Sequence, residues 1–498
     1  MGFSKTSLSL FFFIIFSSSY ATSRTIHHQE FQSTTKVSPN NRADKLIRSL
    51  NLFPKDPVNV IHGNHSLNFV PGKIVEKKFS FFGDSDEPSV ENLGHHAGYY
   101  SLPRSNSARM FYFFFESRDN NKNAPVVIWL TGGPGCSSEI ALFYENGPFT
   151  IANDLSLKWN DYGWDKASNI LFVDQPIGTG FSYTSDDSDI PHDETGVSND
   201  LYDFLQEFFK QHSEYVKNDF YITGESYAGH YVPALASRVH QGNKDNKGIT
   251  INLKGFAIGN GLTNPAIQYP AYTKYAVENK LITKEDEADI NKSVPGCVAA
   301  AKVCESEGGD SCLTALNQCD QITSSILSIT GNINYYDIRK QCEGSLCYDF
   351  SNVETLLNKK SVKDALGVGD IEFVSCSKVV YNAMQEDWMR NFEVDIPSLL
   401  EDGISVLIYA GEFDFICNWI GNSNWVHAME WSGQKQFAAS KTAQFLVDGT
   451  SAGLLNSYGP LSFLKVFGAG HMVPKDQPKA ALQMLVNWTQ GKLNGTSI

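Results

Sequence analysis

Apolar runs of membrane-spanning length are absent from this chain. The one sustained apolar stretch near the start, Leu8–Phe16, has nine residues, too short to cross a bilayer. A basic excess is missing too: the formal net charge is -15, and no Lys/Arg stripe stands against it. That excludes a nucleic-acid partner, because phosphate binding rests on clustered cations. Charged residues are somewhat sparse overall, at 19%. Internal repeats and low-complexity tracts are absent, so repeat architectures are set aside. What is present suits a large core: 42% hydrophobic and 12% aromatic residues over 498 positions. One large α/β unit with insertions accommodates this length. The acidic balance suits a soluble protein, not a membrane one, in an acidic or extracytoplasmic space.

Residues 1–22 read as a secretory signal. Lys5 gives a positive start, Leu8–Phe16 the apolar core, and Ser17–Ser19 and Ala21 the small residues before cleavage near Ala21–Ser23. Residues 23–82 are polar and mixed, with Pro39, Pro54, Pro57 and Pro71, and are expected to be a propeptide; an ordered N-terminal arm is the alternative. The catalytic domain is expected over 83–498. Nine cysteines on a secretory route suggest four disulfides and one free thiol. Sequons at Asn64, Asn291, Asn487 and Asn494 are expected surface glycan sites.

From Gly98 the pattern becomes regular. Gly98–Leu102 and Met110–Glu116 read as a hairpin. Pro125–Leu130, Ile170–Val173, Asp219–Thr223, Leu253–Ile258, Ile404–Ala410 and Leu464–Phe467 are apolar runs typical of buried strands. Helical periodicity marks Asn199–Phe209, Ala228–Ala236 and Ala480–Trp488 between and after them. This alternation predicts an α/β fold: a mostly parallel sheet with helices on both faces. Residues 263–375 break the rhythm and hold most of the cysteines, so they are expected to be a disulfide-stapled insertion over the sheet's C-terminal edge.

The chemistry gathers at the ends of those strands. Gly224-Glu225-Ser226-Tyr227-Ala228-Gly229 stands between a strand and a helix, the context of the nucleophile elbow of α/β-hydrolases. A tight turn there lifts a serine clear of the sheet and demands small neighbours. Ala228 fills the slot of the usual second glycine, and Gly229 follows it. Asp414 and His471 each follow a later strand, giving the chain order Ser226, Asp414, His471 of that fold. In those roles His471 takes the serine proton and Asp414 fixes the imidazole tautomer. Asp174 is the rival acid, but it precedes the serine. His230 lies on the post-elbow helix and reads as structural. The loop Thr131–Ser138 is glycine-rich and carries no Lys-Ser/Thr, so it reads as an oxyanion-binding loop and not a phosphate loop. No metal or cofactor is expected.

Seven stretches in register now resemble the serine carboxypeptidases, especially the single-chain plant type: Trp129–Ser138, Glu145–Pro148, Asp174–Ser182, Gly224–Gly229, Ile258–Gly261, Asp414–Trp419 and Gly470–Pro474. The resemblance runs from about Gly98 to the end and implies release of C-terminal residues from peptides and proteins at acidic pH. It makes Glu145 and Glu225 a proton-sharing pair that binds the substrate's terminal carboxylate, with Trp129, Thr131 and the Gly132 backbone as further contacts. Thr131 departs from the asparagine common at its place. The amides of Gly133 and Tyr227 match the oxyanion hole. Tyr227, Leu262, Tyr269, Tyr272, Ile416 and Cys417 match the acyl-side pocket, and Tyr144 and Met472 the leaving-residue pocket. The implied disulfides are Cys136–Cys376, Cys297–Cys319, Cys304–Cys312 and Cys342–Cys347, with Cys417 free. A family disulfide is lacking, because Ala276–Ile290 contains no cysteine. The rivals are an acyltransferase of the same fold, which often carries Asp in place of Glu225 and Ser in place of Ala228, and a non-catalytic binding protein. A vacuolar or secreted destination completes the expectation.

Overall fold

The computed structural model describes residues 75–78 and 96–493, except Asn120 and Ser345. The expected signal, nearly all of the expected propeptide, Asn64 and Asn494 lie outside the described residues. In chain order the strands are β1 (Val75–Lys78), β2 (His96–Ser101), β3 (Arg109–Phe115), β4 (Val126–Thr131), β5 (Phe149–Ile151), β6 (Leu157–Trp159), β7 (Asn169–Val173), β8 (Phe220–Glu225), β9 (Leu253–Gly259), β10 (Ser405–Gly411), β11 (Ala443–Val447), β12 (Thr450–Tyr458) and β13 (Leu461–Val466). Eleven form one sheet in the order β1-β2-β3-β7-β4-β8-β9-β10-β13-β12-β11, and β5 pairs with β6 apart from it. The central strands β7 to β13 pair in parallel, and antiparallel strands flank them on both sides. β1 pairs with β2, so the sheet starts N-terminal to residue 83, inside the span expected as propeptide.

Alternation along the strands builds the two faces of the core. In β3, Met110, Tyr112 and Phe114 enter one apolar cluster while Phe111, Phe113 and Phe115 enter the other. In β4, Val126, Ile128 and Leu130 join the first and Val127 and Trp129 the second. Both faces of these strands are covered, which is why their sequences read as unbroken apolar runs. The helix Glu194–Gln211 is started by Asp193, whose carboxylate accepts the Gly196 amide at 2.8 Å.

The expected hairpin is β2–β3, and each of the six predicted buried strands appears within a few residues of its expected limits. The hairpin β11–β12 was not expected. It turns on Asp448-Gly449, both at positive φ (50° and 77°). Between β9 and β10 lies the insertion. It contains two long antiparallel-bridged helices, Val294–Glu307 and Asp310–Thr330, and not only short ones. Cys297–Cys319 and Cys304–Cys312 staple this pair, Cys342–Cys347 closes a small loop, and Cys136–Cys376 ties the insertion's end to the loop after β4. Cys417 is free and buried. No helix among the described residues is long and apolar enough to cross a membrane. Asn291 is exposed, and Asn487 is half-buried within the helix Pro478–Thr489.

Candidate active site

Parallel strands deliver all their C-terminal ends to one edge of a sheet. β8, β9, β10 and β13 are consecutive neighbours, and the segments that leave their C-terminal ends carry Ser226, Asn260, Asp414 and His471 in turn. Ser226 sits at φ 68°, a conformation that non-glycine residues avoid. The turn holds because its surroundings are packed to contact. A Cβ at Gly224 would meet the Leu130 carbonyl oxygen at 2.5 Å, and one at Gly229 would meet the Leu262 carbonyl oxygen at 2.3 Å. The Ser226 carbonyl accepts the amides of Gly229 at 2.9 Å and Leu262 at 3.0 Å, which fixes the elbow to the strand beside it.

The acid and the histidine are joined directly. His471 Nδ1 donates to Asp414 Oδ2 at 2.9 Å, and both residues are buried. The carboxylate is further satisfied by Asn260 Nδ2 at 2.7 Å and by the amides of Ile416 at 3.1 Å and Cys417 at 3.3 Å. The rival acid Asp174 is elsewhere: its Oδ2 accepts the Phe181 amide at 2.7 Å, beside Glu139.

The glycine loop and the elbow touch. A Cβ on Gly132 would lie 2.4 Å from the Tyr227 amide nitrogen. Gly133, at φ 113°, turns the chain there. Among the described residues, neither the Gly133 nor the Tyr227 amide is engaged in a loop or cap hydrogen bond. Two unengaged amides, one on the elbow and one in the loop that touches it, suit an oxyanion. The Tyr227 side chain is anchored from behind: its hydroxyl donates to Asp387 Oδ2 at 2.8 Å, and His230 Nδ1 reaches the same oxygen at 2.9 Å. His230 is thus engaged with Asp387, on the post-elbow helix.

Glu225 ends β8 and Glu145 follows the helix Glu139–Tyr144. Both carboxyls are buried and act on one another. Burial pushes Glu145 up to about 8 and is only partly opposed by Glu225 and Lys475. Burial, then the neighbouring Glu145 and Asp414, holds Glu225 well above the ordinary carboxyl range. Two buried carboxyls side by side keep at least one proton at neutral pH and below. Trp129 is fully buried, and its indole N–H donates to the Thr131 hydroxyl at 3.0 Å. That hydroxyl keeps its own proton for another acceptor.

The expected pocket residues divide into two groups. Tyr269 and Tyr272 lie 5.4 Å apart between ring centres, Tyr272 bonds the Ile416 carbonyl, and Leu262 bonds the elbow. The Cys417 thiol is pushed up by burial and then by the Asp414 charge, which keeps it a poor nucleophile. On the other side Tyr144 packs against Phe350, 5.3 Å between ring centres, in a cluster with buried Met472. The sequence had not singled out Tyr336, Tyr348, Phe350, Asp387 or Lys475. Tyr336 packs its ring 4.9 Å from His471 and accepts the His471 amide at 2.7 Å. The Tyr348 hydroxyl is buried and has no hydrogen-bond partner among the described residues, and after burial itself Asp476, Glu225, Asp414 and Glu145 act on it electrostatically. Only its place beside Cys347, in a loop closed by a disulfide, hinted at a fixed position.

Sheet, elbow and acid–histidine pair define an α/β-hydrolase with a serine at its centre. The chain belongs to the serine carboxypeptidase family, whose model matches residues 86–491. It is 62% identical over 495 residues to serine carboxypeptidase-like 48 of Arabidopsis thaliana, covering 98% of this chain and 96% of that protein. It is 64% identical to serine carboxypeptidase 3 of Hordeum vulgare, covering 91% of this chain and 90% of that one. Among solved structures it resembles KEX1(delta)p, a prohormone-processing carboxypeptidase from Saccharomyces cerevisiae, with a TM-score of 0.73 and 26% identity over 80% of this chain and 92% of that one.

Proposed function

We propose that the protein removes C-terminal residues from peptides at acidic pH through an acyl-enzyme on Ser226. The observation that carries this reading is the buried Glu145–Glu225 pair beside the elbow. A serine hydrolase acting on esters has no use for two buried carboxyls at that place. An exopeptidase has one, because a protonated carboxyl donates to the substrate's terminal carboxylate while two ionised ones repel it. Thr131 and the Gly132 backbone complete the cradle, with Trp129 orienting the Thr131 hydroxyl.

The reaction runs as follows. The terminal carboxylate binds at the pair and sets the last peptide bond over Ser226. His471 accepts the serine proton as the oxygen attacks the carbonyl carbon, and Asp414 stabilises the resulting imidazolium. The amides of Gly133 and Tyr227 receive the oxyanion. Collapse breaks the C–N bond, and His471 passes its proton to the leaving amine. Water then attacks the acyl-enzyme by the same route and frees Ser226. The acyl-side residue lies against Leu262, Tyr269, Tyr272, Ile416 and Cys417, and the leaving residue against Tyr144 and Met472. Four disulfides and the expected leader favour a secretory route to a vacuole or the cell exterior.

The test is hydrolysis of a blocked dipeptide against its C-terminal amide at mildly acidic pH, by purified protein freed of any propeptide. Fast release from the free acid, slow release from the amide, and loss of both in Ser226→Ala are expected. Equal rates on acid and amide, or acyl transfer from a glucose ester with no peptide hydrolysis, would sink the reading.

A further inference from the structure

One cation at the site has no role in this chemistry. Lys475 stands in the short helix Val473–Asp476, directly after His471 and Met472. Its ammonium lies 3.9 Å from the centre of the Tyr144 ring. Tyr144, half-buried, borders an apolar cluster of Ile140, Phe350 and Met472. The charge is therefore held at the rim of an apolar recess next to the carboxyl pair, and it acts on Glu145.

The neighbouring charges are already matched. Lys340 is bound to Asp337 at 2.9 Å and to Asp476 at 3.4 Å. Asp476 also accepts the Gly470 amide at 2.7 Å, and Asp337 is gripped by Arg339 at 2.8 Å. Among the described residues no carboxylate lies within ion-pair distance of Lys475. Of the carboxyls that act on it, Glu145 does so most strongly, and burial raises that group towards its protonated form.

We propose that Lys475 is a specificity-determining residue that selects peptides ending in Asp or Glu. The inference rests on the carboxypeptidase reading. A terminal residue whose α-carboxylate sits at Glu145 and Glu225 sends its side chain towards Tyr144 and Met472. A side-chain carboxylate there meets an ammonium that, although Lys475 is exposed, is held over one face of the Tyr144 ring. The attraction is less screened than between two groups free in solvent. A neutral side chain gains apolar contact alone, and a basic one meets a like charge.

The experiment compares blocked dipeptides with one acyl residue and ending in Glu, Gln, Leu or Lys, at a pH of about 5.5, where a glutamate side chain is ionised. In wild type, kcat/KM for Glu exceeds that for Gln. In Lys475→Met the Glu/Gln ratio falls about three- to fivefold, the size of a partly exposed ion pair. In Lys475→Glu the preference turns towards Lys. Raising the salt to about 0.5 M lowers the wild-type ratio, because the contact is at the rim. An unchanged ratio in Lys475→Met overturns the proposal. So does an equal loss on all four substrates, which would place Lys475 on the α-carboxylate instead. If wild type cleaves none of them, the carboxypeptidase reading fails separately. Calorimetric binding of free glutamate against glutamine to Ser226→Ala and to Ser226→Ala/Lys475→Met then decides the point: a glutamate preference lost with Lys475 supports it, and equal binding overturns it.

Discussion

Asn260 and His471 share one oxygen of Asp414, the amide at 2.7 Å and the imidazole at 2.9 Å. The Asn260 side chain also accepts the Gly411 amide at 3.2 Å, so it braces the ends of β9 and β10 together. Asp414 is thus held in place by groups other than the histidine it serves. Replacing it by Asn keeps the shape and reverses the hydrogen-bond preference towards the wrong imidazole tautomer. Asp414→Asn is expected to lower kcat by about 10³- to 10⁴-fold with little change in KM. Steady-state kinetics on a blocked dipeptide, beside a circular dichroism spectrum matching wild type, checks this.

The carboxyl pair sets the pH range. Below about 8, the value to which burial pushes Glu145, the pair retains a proton, and on the proposed reading it then binds the terminal carboxylate. As pH rises through that value Glu145 ionises beside Glu225, and KM is expected to climb with pH while kcat holds. Glu145→Gln removes one ionisation, so the climb in KM should flatten and KM at low pH should rise. A KM that is flat with pH in wild type would refute the assignment.

The same pair has a stability signature. A carboxyl whose folded value is raised binds its proton more tightly folded than unfolded. Its contribution is fully present below the ordinary carboxyl value and is lost as pH rises through the folded value. Melting temperature is therefore expected to fall between about pH 5 and about pH 8. The slope should be shallower in Glu145→Gln, as calorimetry across that range would register.

Gly132 has no room for a side chain. A methyl group there would meet the Tyr227 amide nitrogen at 2.4 Å and the Glu225 carbonyl oxygen at 2.7 Å. Backbone on both sides means that neither neighbour can swing away. Gly132→Ala is expected to separate the glycine loop from the elbow and to cost kcat about 10²- to 10³-fold, the worth of an oxyanion donor. Should the protein still fold, titration with a serine-directed phosphonate would report the same loss.

Cys136–Cys376 spans 240 residues and ties the oxyanion loop to the end of the insertion. The Ser137 amide bonds the Ser375 carbonyl at 2.9 Å beside it. The double variant Cys136→Ser/Cys376→Ser is expected to lose about 2–5 kcal/mol of stability. Activity should decline at temperatures below the global melt, since the loosened loop carries Gly133. Parallel scans of activity and ellipticity test the order of events.

The parallel strands were legible because each is buried on both faces, so Val126–Leu130 and Ile170–Val173 read as unbroken apolar runs. Ser226, Asp414 and His471 were legible because each follows such a run within a few residues. Glu145 and Glu225 were not: nothing in a separation of 80 positions announces contact, and only the family resemblance joined them. The hairpin β11–β12 carries its own sequence signal, Asp448-Gly449 at its turn. Asp387, Tyr336 and Tyr348 come from outside every motif and reach the site only through tertiary packing. Lys475 looked like any surface lysine until Tyr144 appeared beneath it.

The insertion does more than cover the sheet edge. His471 donates its amide to Tyr336, Phe415 and Ile416 both donate to Tyr335, and Ile338 donates to Phe413. Both loops that carry the acid and the histidine are thus stitched to residues 335–338. The sheet can close through its own strand pairs, but the triad is square only after that segment docks. Assembly of the fold and acquisition of catalysis are therefore expected to separate in time, with refolding recovering ellipticity first and turnover later.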